Sequence, residues 1–164
     1  MNLDGGQRHT LLAHPAGWIA IGFGSGLSSV APGTVGSLAS LLPWLALREL
    51  PWPLYLCVVA AAFAVGMWAC AWVVRTLRIE DPGFVVWDEF VGQWIALAPL
   101  FWAPIAWWGP AAGFVLFRLF DIAKPWPVSW SDRNVKGGFG VMLDDVLAGM
   151  YAALALTLLT KFVG

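Results

Sequence analysis

Residues 53–74, PLYLCVVAAAFAVGMWACAWVV, hold no charged side chain in 22 positions. At a rise of about 1.5 Å per residue such a helix is about 33 Å long, enough to cross the roughly 30 Å hydrocarbon core of a bilayer. Working outward, 91–108 (VGQWIALAPLFWAPIAWW) is uncharged over 18 residues, and 146–162 is interrupted only by Lys161, whose ammonium can snorkel to the interface. Two shorter runs, 35–47 (VGSLASLLPWLAL) and 110–120 (PAAGFVLFRLF), are expected to tilt, to be shielded by neighbours or to insert halfway. The whole chain fits this pattern: 164 residues, 60% hydrophobic and only 12% charged, with a mean hydropathy of +0.75, where soluble domains are about one quarter charged. The expected fold class is therefore all-α, a multipass helical membrane protein with about five membrane-inserted helices, some short or tilted. A very apolar soluble helical domain is the competing reading. No internal repeat or low-complexity linker divides the chain, so residues 1–164 are read as one membrane domain, with 1–21 as an N-terminal cytoplasmic segment.

Charge then excludes partners. A net charge of −1 gives no basic excess for nucleic acid. Cys57 and Cys70, about 20 Å apart along one helix, read as packing residues, too far apart for a disulfide. The first fourteen residues, MNLDGGQRHTLLAH, lack the apolar stretch of a cleaved signal. Of the twelve tryptophans several, including Trp52, Trp72, Trp107 and Trp108, lie near run ends, as interfacial belts require. With five crossings, Arg8, Arg75, Arg78, Arg118, Lys124, Arg133 and Lys136 fall on or near the N-terminal side, and only Arg48 and Lys161 opposite. The positive-inside rule then predicts a cytoplasmic N-terminus.

Fourteen of the nineteen charges lie in two segments, 75–89 and 118–145, which this topology brings to one membrane face. Asp81-Pro82 reads as a helix start, cap then first-turn proline, which would put Asp88 and Glu89 about two turns into the helix. Asp121 and Lys124 are three apart at the end of one run, with Pro125 stopping it. Asp144 and Asp145 open the last run. Gly92 lies four residues past Asp88 and Gly149 four past Asp145, a spacing that lets another helix come close. Residues 137–140, GGFG, read as the turn before the last helix.

Carboxylates at the heads of apolar runs are costly unless they pair or bind something. One reading pairs Asp88, Glu89, Asp121, Asp132, Asp144 and Asp145 with Arg118, Lys124, Arg133 and Lys136. The other is a hard-cation site of the magnesium type, because oxygen donors alone are present and neither segment holds Cys or His. Carboxylates mixed with bases suit phosphoryl chemistry, in which cations neutralise phosphate oxygens while a carboxylate orients water. Residues 22–37, GFGSGLSSVAPGTVGS, are either a flexible turn or a nest of backbone N–H groups for an anion, with Thr34 or Ser37 as helix cap. His9 and His14 read as solvated. No Cys-x5-Arg, Asp-x-Asp or paired-histidine phosphatase motif is present, so a protein nucleophile is not evident and metal-activated water remains.

The strings GFGSGLSSVAPGTVGS, VVWDEFVG (85–92), LFRLFDIAKPWP (116–127) and DRNVKGGFGVMLDDVLAG (132–149) closely resemble the bacterial phosphatidylglycerophosphatase A family, in the family's order, from about Gly22 to the last run. The resemblance implies a small α-helical inner-membrane enzyme, magnesium-dependent, that hydrolyses phosphatidylglycerol phosphate to phosphatidylglycerol and inorganic phosphate at the cytoplasmic face. Its acidic motif residues fall on Asp88, Glu89, Asp121, Asp132, Asp144 and Asp145, its basic ones on Arg118, Lys124, Arg133 and Lys136. On this reading Mg2+ is held among Asp88, Glu89, Asp121, Asp144 and Asp145, catalysis involves Asp88, Glu89, Asp121 and Asp145, and phosphate oxygens meet Lys124, Arg133, Arg118, Thr34 and Ser37. The phospholipid substrate enters from the membrane, and no obligate protein partner is expected. The alternative is a small cation-coupled transporter with interfacial carboxylates; against it, no ionisable residue occupies the middle of the spans.

Overall fold

The computed structural model describes residues 3–79, 82–102 and 108–163. Among the described residues all regular structure is helical, as the apolar runs require. The elements are α1 (Gly5–Leu12), α2 (Pro15–Ala20), a 3-10 segment (Gly22–Leu27), α3 (Pro32–Ala39), α4 (Leu41–Leu47), α5 (Trp52–Leu77), α6 (Trp87–Leu97) with a trailing 3-10 turn (Ala98–Phe101), α7 (Gly109–Ala123), α8 (Val128–Asn134) and α9 (Gly137–Val163).

Their bounds follow local chemistry. α5 has Pro53 in its first turn and ends at Arg78 in the left-handed region, φ 56°, because the prolyl ring suits a first turn and a left-handed residue terminates a helix. α7 likewise begins Gly109-Pro110 and ends at left-handed Lys124, φ 43°, just before Pro125. α6 starts later than the sequence suggests. Val86 donates its backbone N–H to the Ala20 carbonyl at 2.8 Å, and Phe84, Val85 and Val86 are buried, so tertiary contacts hold this stretch out of the helix. Asp88 and Glu89 consequently sit in the first turn of α6 instead of two turns in; Asp81, the expected cap, and Trp107 of the expected belt lie outside the described residues. α9 departs in the opposite sense: it begins at Gly137, so GGFG is helix, not a preceding turn, and Asp144 and Asp145 are two turns inside. The expected uninterrupted helix across 91–108 is also corrected, since α6 ends at Leu97 and Pro99 lies in the 3-10 turn. His14 is packed, not solvated. Its ring stacks on Trp72 with centroids 4.2 Å apart, and its Nδ1 accepts the Ala16 N–H at 3.1 Å to cap α2.

Two helices, Trp52–Leu77 and Gly137–Phe162, are long and apolar enough to cross a bilayer. α9 is apolar on both faces: Ala148, Ala152 and Leu156 are fully buried while Met150, Leu154 and Leu158 are exposed. A helix apolar all round suits lipid on its outer side. α6 is the central element, packed on α9, α7, α5 and α3, which is why nearly all of it is buried. Buried polar groups pin it there, with Tyr55 Oη donating to the Trp94 carbonyl at 2.6 Å and Trp94 Nε1 to the Ser40 carbonyl at 2.9 Å.

The bundle has two distinct ends. One gathers the C-terminus of α5, the N-termini of α6 and α9 and the C-terminus of α7. The other gathers Trp52, Trp102 and Lys161 around one apolar groove, with the Trp52 and Trp102 rings 4.2 Å apart.

Candidate metal and phosphate site

The site lies where α6 and α9 come closest. A Cβ on Gly92 would approach the Asp145 carbonyl oxygen at 2.7 Å, and one on Gly149 would overlap the Gly92 carbonyl oxygen. Only bare backbones permit this crossing. Asp88 and Glu89 precede Gly92 by one turn and Asp145 precedes Gly149 by one turn, so the same crossing brings the three acids together. One ligand atom from each of Asp88, Glu89 and Asp145 lies within 4.8 Å of the others. The glycine spacing read from the sequence is thus the device that assembles the cluster.

A second layer fixes these acids. Arg118 of α7 places Nη1 2.7 Å from Asp121 Oδ2 and 3.8 Å from Glu89 Oε1, and donates to Ser37 Oγ at 3.3 Å. Ser37, fully buried, donates in turn to the Gly33 carbonyl at 2.8 Å. Gly33 leaves α3 open to this contact, because a Cβ there would collide with Glu89 Oε1. Lys124 pairs with Asp132 of α8 and, at 2.9 Å, with Asp144 of α9. Lys124 is the left-handed C-cap of α7 and pairs with these two acids, while Asp121, three residues earlier, pairs with Arg118.

Charge does not balance here. Six carboxylates, those of Asp88, Glu89, Asp121, Asp132, Asp144 and Asp145, meet two engaged bases, Arg118 and Lys124, an excess of four negative charges. Among the described residues no base pairs with Asp88 or Asp145, and Glu89 Oε2 and Asp145 Oδ2 are buried with no hydrogen-bond partner. An unpaired buried carboxylate oxygen is expensive. Burial, then the neighbouring Asp145, pushes the Glu89 carboxyl up to about 8. Burial and Glu89 raise Asp88 well above the usual carboxylate range. Burial opposes the charge of Lys124, yet Asp132 and Asp144 hold its ammonium above the ordinary lysine range. Orphaned, close, hard oxygen donors fit a divalent cation of the magnesium class. Of the five residues expected to ligate it, three converge; Asp121 is held by Arg118 and Asp144 by Lys124.

Beside the triad opens a polar cleft of about 370 Å3, lined by Asp88, Asp132, Asp144, Arg133, Lys136 and the first turn of α9 at Gly137 and Gly140. Arg133 and Lys136 are exposed, and neither forms an ion pair among the described residues. The residues expected to meet phosphate therefore separate: Arg133 lines the cleft, whereas Arg118 and Lys124 are occupied by carboxylates. Thr34 is half-buried in the first turn of α3. Neither Thr34 nor Ser37 caps that helix, whose N-cap is left-handed Ala31 with no side-chain bond; the 22–37 stretch is largely helical instead of a loop. Gln93, one turn past Glu89, escaped the sequence reading. It is fully buried with both amide atoms unpartnered, and its signal was a lone amide inside an apolar run.

A family model described as "Phosphatidylglycerophosphatase A" matches residues 18–160. The chain is 46% identical over 142 residues, 87% of this chain and 81% of the relative, to the Phosphatidylglycerophosphatase A of Escherichia coli (strain K12). It is 42% identical over 144 residues, 87% of each chain, to that of Haemophilus influenzae. Over 150 residues, 89% of this chain and 94% of the relative, it is 42% identical to a Bacteroides thetaiotaomicron protein named "Putative phosphatidylinositol-3-phosphatase". No solved structure matches it.

Proposed function

The chain belongs to the phosphatidylglycerophosphatase A family, and from that premise we propose that it hydrolyses the phosphomonoester of phosphatidylglycerol phosphate, giving phosphatidylglycerol and inorganic phosphate, at the cytoplasmic face of the inner membrane. The observation that carries the mechanism is the convergence of Asp88, Glu89 and Asp145 with two buried, partnerless oxygens. These three residues hold Mg2+. The bound ion supplies Lewis acidity, drawing charge from the phosphoryl oxygens and lowering the pKa of water.

The chain's own residues do the rest. Asp88, Asp132 and Asp144 are the carboxylates that line the cleft. Lys124 pairs with Asp132 and Asp144; with Asp88 committed to the cation, the buried Asp144, which lines the cleft outside the triad, accepts the proton of the attacking water. Arg133 neutralises the monoester oxygens, with the bidentate geometry that guanidinium offers phosphate. As the water oxygen bonds to phosphorus, the ester bond to the glycerol oxygen breaks; that oxygen takes up a proton and phosphate leaves. Arg118 orients Glu89, and Lys124 orients Asp144.

Five inserted segments, α3–α4, α5, α6 with its 3-10 turn from Val91 onward, α7 and α9, support a multipass arrangement because they run alternately between the two ends of the bundle. The cations support a cytoplasmic site: Arg75 and Arg78 close α5 at the site end, whereas Lys161 lies at the other. The test is phosphate release from phosphatidylglycerol phosphate in mixed micelles, with Mg2+ and then with EDTA, beside phosphatidylinositol 3-phosphate. No release from the first lipid overturns the activity. Release undiminished by EDTA overturns the metal.

A further inference from the structure

Lys136 has no place in the chemistry above, yet it lines the same cleft as Asp88 and Asp144. It is exposed, pairs with no carboxylate among the described residues, and stands immediately before the first turn of α9. Arg133, three residues earlier, is the cleft's other unengaged base. The cleft therefore presents two separate positive charges, whereas a single phosphomonoester at the metal needs only the first.

Depth separates Lys136 from the acids. Asp144 is buried and lies two turns inside α9, whereas Lys136 stands just before the helix. Arg133 is the base tied to the acids, because its neighbour Asp132 shares Lys124 with Asp144. Exposed Trp130 and Phe139 flank the two bases in sequence, at 52% and 47% exposure, and aromatic side chains of that kind settle at the membrane interface. A phosphatidyl lipid holds its phosphodiester at the same level, next to its acyl chains. The N-terminus of α9, with Gly137 and Gly140 lining the cleft, adds a favourable dipole for an anion there.

We propose that Lys136 binds the phosphodiester of the lipid headgroup while Arg133 and the acidic triad take the monoester, so that the cleft selects lipids carrying both phosphates. The proposal rests on the phosphatase reading above and adds the headgroup recognition to it. It implies that phosphatidylglycerol, which keeps the diester and lacks the monoester, competes through Lys136, whereas inorganic phosphate competes through the metal and Arg133.

The experiment measures inhibition of the purified full-length protein by those two probes during hydrolysis of phosphatidylglycerol phosphate, in wild type, Lys136→Gln, Lys136→Arg and Arg133→Gln. Lys136→Gln is expected to raise the inhibition constant of phosphatidylglycerol by about tenfold, the 1.4 kcal/mol of one charge-assisted hydrogen bond, and to leave that of inorganic phosphate within about twofold. Lys136→Arg restores the lipid constant because it keeps the charge. Arg133→Gln shows the reverse selectivity. Equal changes for both probes in Lys136→Gln, or no change for either, overturn the assignment. Loss of folding would instead appear in all three variants, including the charge-preserving one, and that outcome also overturns it. Failure of the phosphatase reading is distinct, because wild type would then release no phosphate.

Discussion

Glu89 is caught between Arg118, 3.8 Å away on α7, and the two acids with which it converges, Asp88 and Asp145. Burial dominates, so its carboxyl is pushed up to about 8, and below that pH a proton occupies the oxygen that would face the metal. Protons and Mg2+ thus compete. The Mg2+ concentration for half-maximal activity is expected to fall as pH rises toward 8, by about tenfold per unit for each proton the cation displaces; a pH-independent requirement would contradict this. Stability has the opposite sign. A raised carboxyl favours the folded state while protonated, fully below its unfolded value of 4.5 and progressively less as pH rises through about 8. EDTA-treated protein in detergent should therefore lose thermal stability between about pH 5 and 8, with Glu89→Gln flattening the slope. The same geometry ranks the acids. Asp88→Asn, Glu89→Gln and Asp145→Asn should each reduce turnover by about a thousandfold or more at normal yield, since Asn and Gln keep volume but lose the ligand's charge. Asp121→Asn, which loosens the half-buried Arg118 and the flank of Asp145 without removing a triad carboxylate, should stay within about a hundredfold. The acids themselves were legible in the sequence because charge at the edge of an apolar run is conspicuous. Their division into a converged triad and acids held by a base was not, because it depends on where Arg118 and left-handed Lys124 reach.

Helix spacing turns those residues into a site. Gly92 and Gly149 let α6 and α9 touch through backbone, so a methyl group at either position must push the helices apart. Gly149→Ala is expected to weaken Mg2+ affinity and lower turnover by about a hundredfold, the penalty of an ångström-scale misplacement, while the helical content measured by circular dichroism stays unchanged. Retention of more than about a third of activity, well inside that hundredfold penalty, would show that the crossing can relax without harm. This part of the fold was readable in advance, because an acid four residues before a glycine occurs at the head of two apolar runs. Helix starts were less readable. Asp81-Pro82 carries every local signal of an N-cap, but the Val86–Ala20 backbone bond at 2.8 Å and the burial of Phe84 to Val86 delay α6 to Trp87. In GGFG the local preference for a turn yields to packing, since Gly138 lies directly against the backbone of α5 at Met67 and Ala71. In both places long-range contact overrides local propensity, and a single sequence carries no record of such contact.

For the whole molecule the open choice is between two membrane crossings and five, and the site itself bears on it. α5 and α9 are each 26 residues long by apolar criteria, about 39 Å at 1.5 Å per residue, and cross a 30 Å core unaided. α7 at 15 residues spans only about 22 Å, so it crosses only where the bilayer thins or neighbours shield its ends. Its outer face nevertheless carries Val115, Leu119 and Ile122 at 56–71% exposure, a stripe that water would not favour, and its far end must lie opposite the site because Gly113 packs on Leu97 and Leu156. Thiol labelling decides the matter in a background of Cys57→Ser and Cys70→Ala. Asn134→Cys reports the site face, since Asn134 is exposed, whereas a thiol at neighbouring Ser131 would be sealed at 0% exposure. Two crossings and five agree on Asn134, but they disagree on Trp102 and His9. With five crossings Trp102→Cys, 66% exposed beside Trp52, reacts with an impermeant reagent from outside intact cells, while His9→Cys reacts only after lysis. With two crossings both assignments invert, because residues 79–136 stay on the site face and the N-terminus moves to the other. We expect the five-crossing pattern, since the inverted one would leave the exposed apolar stripes of α3, α4 and α7 in water, at roughly 25 cal/mol for every Å2.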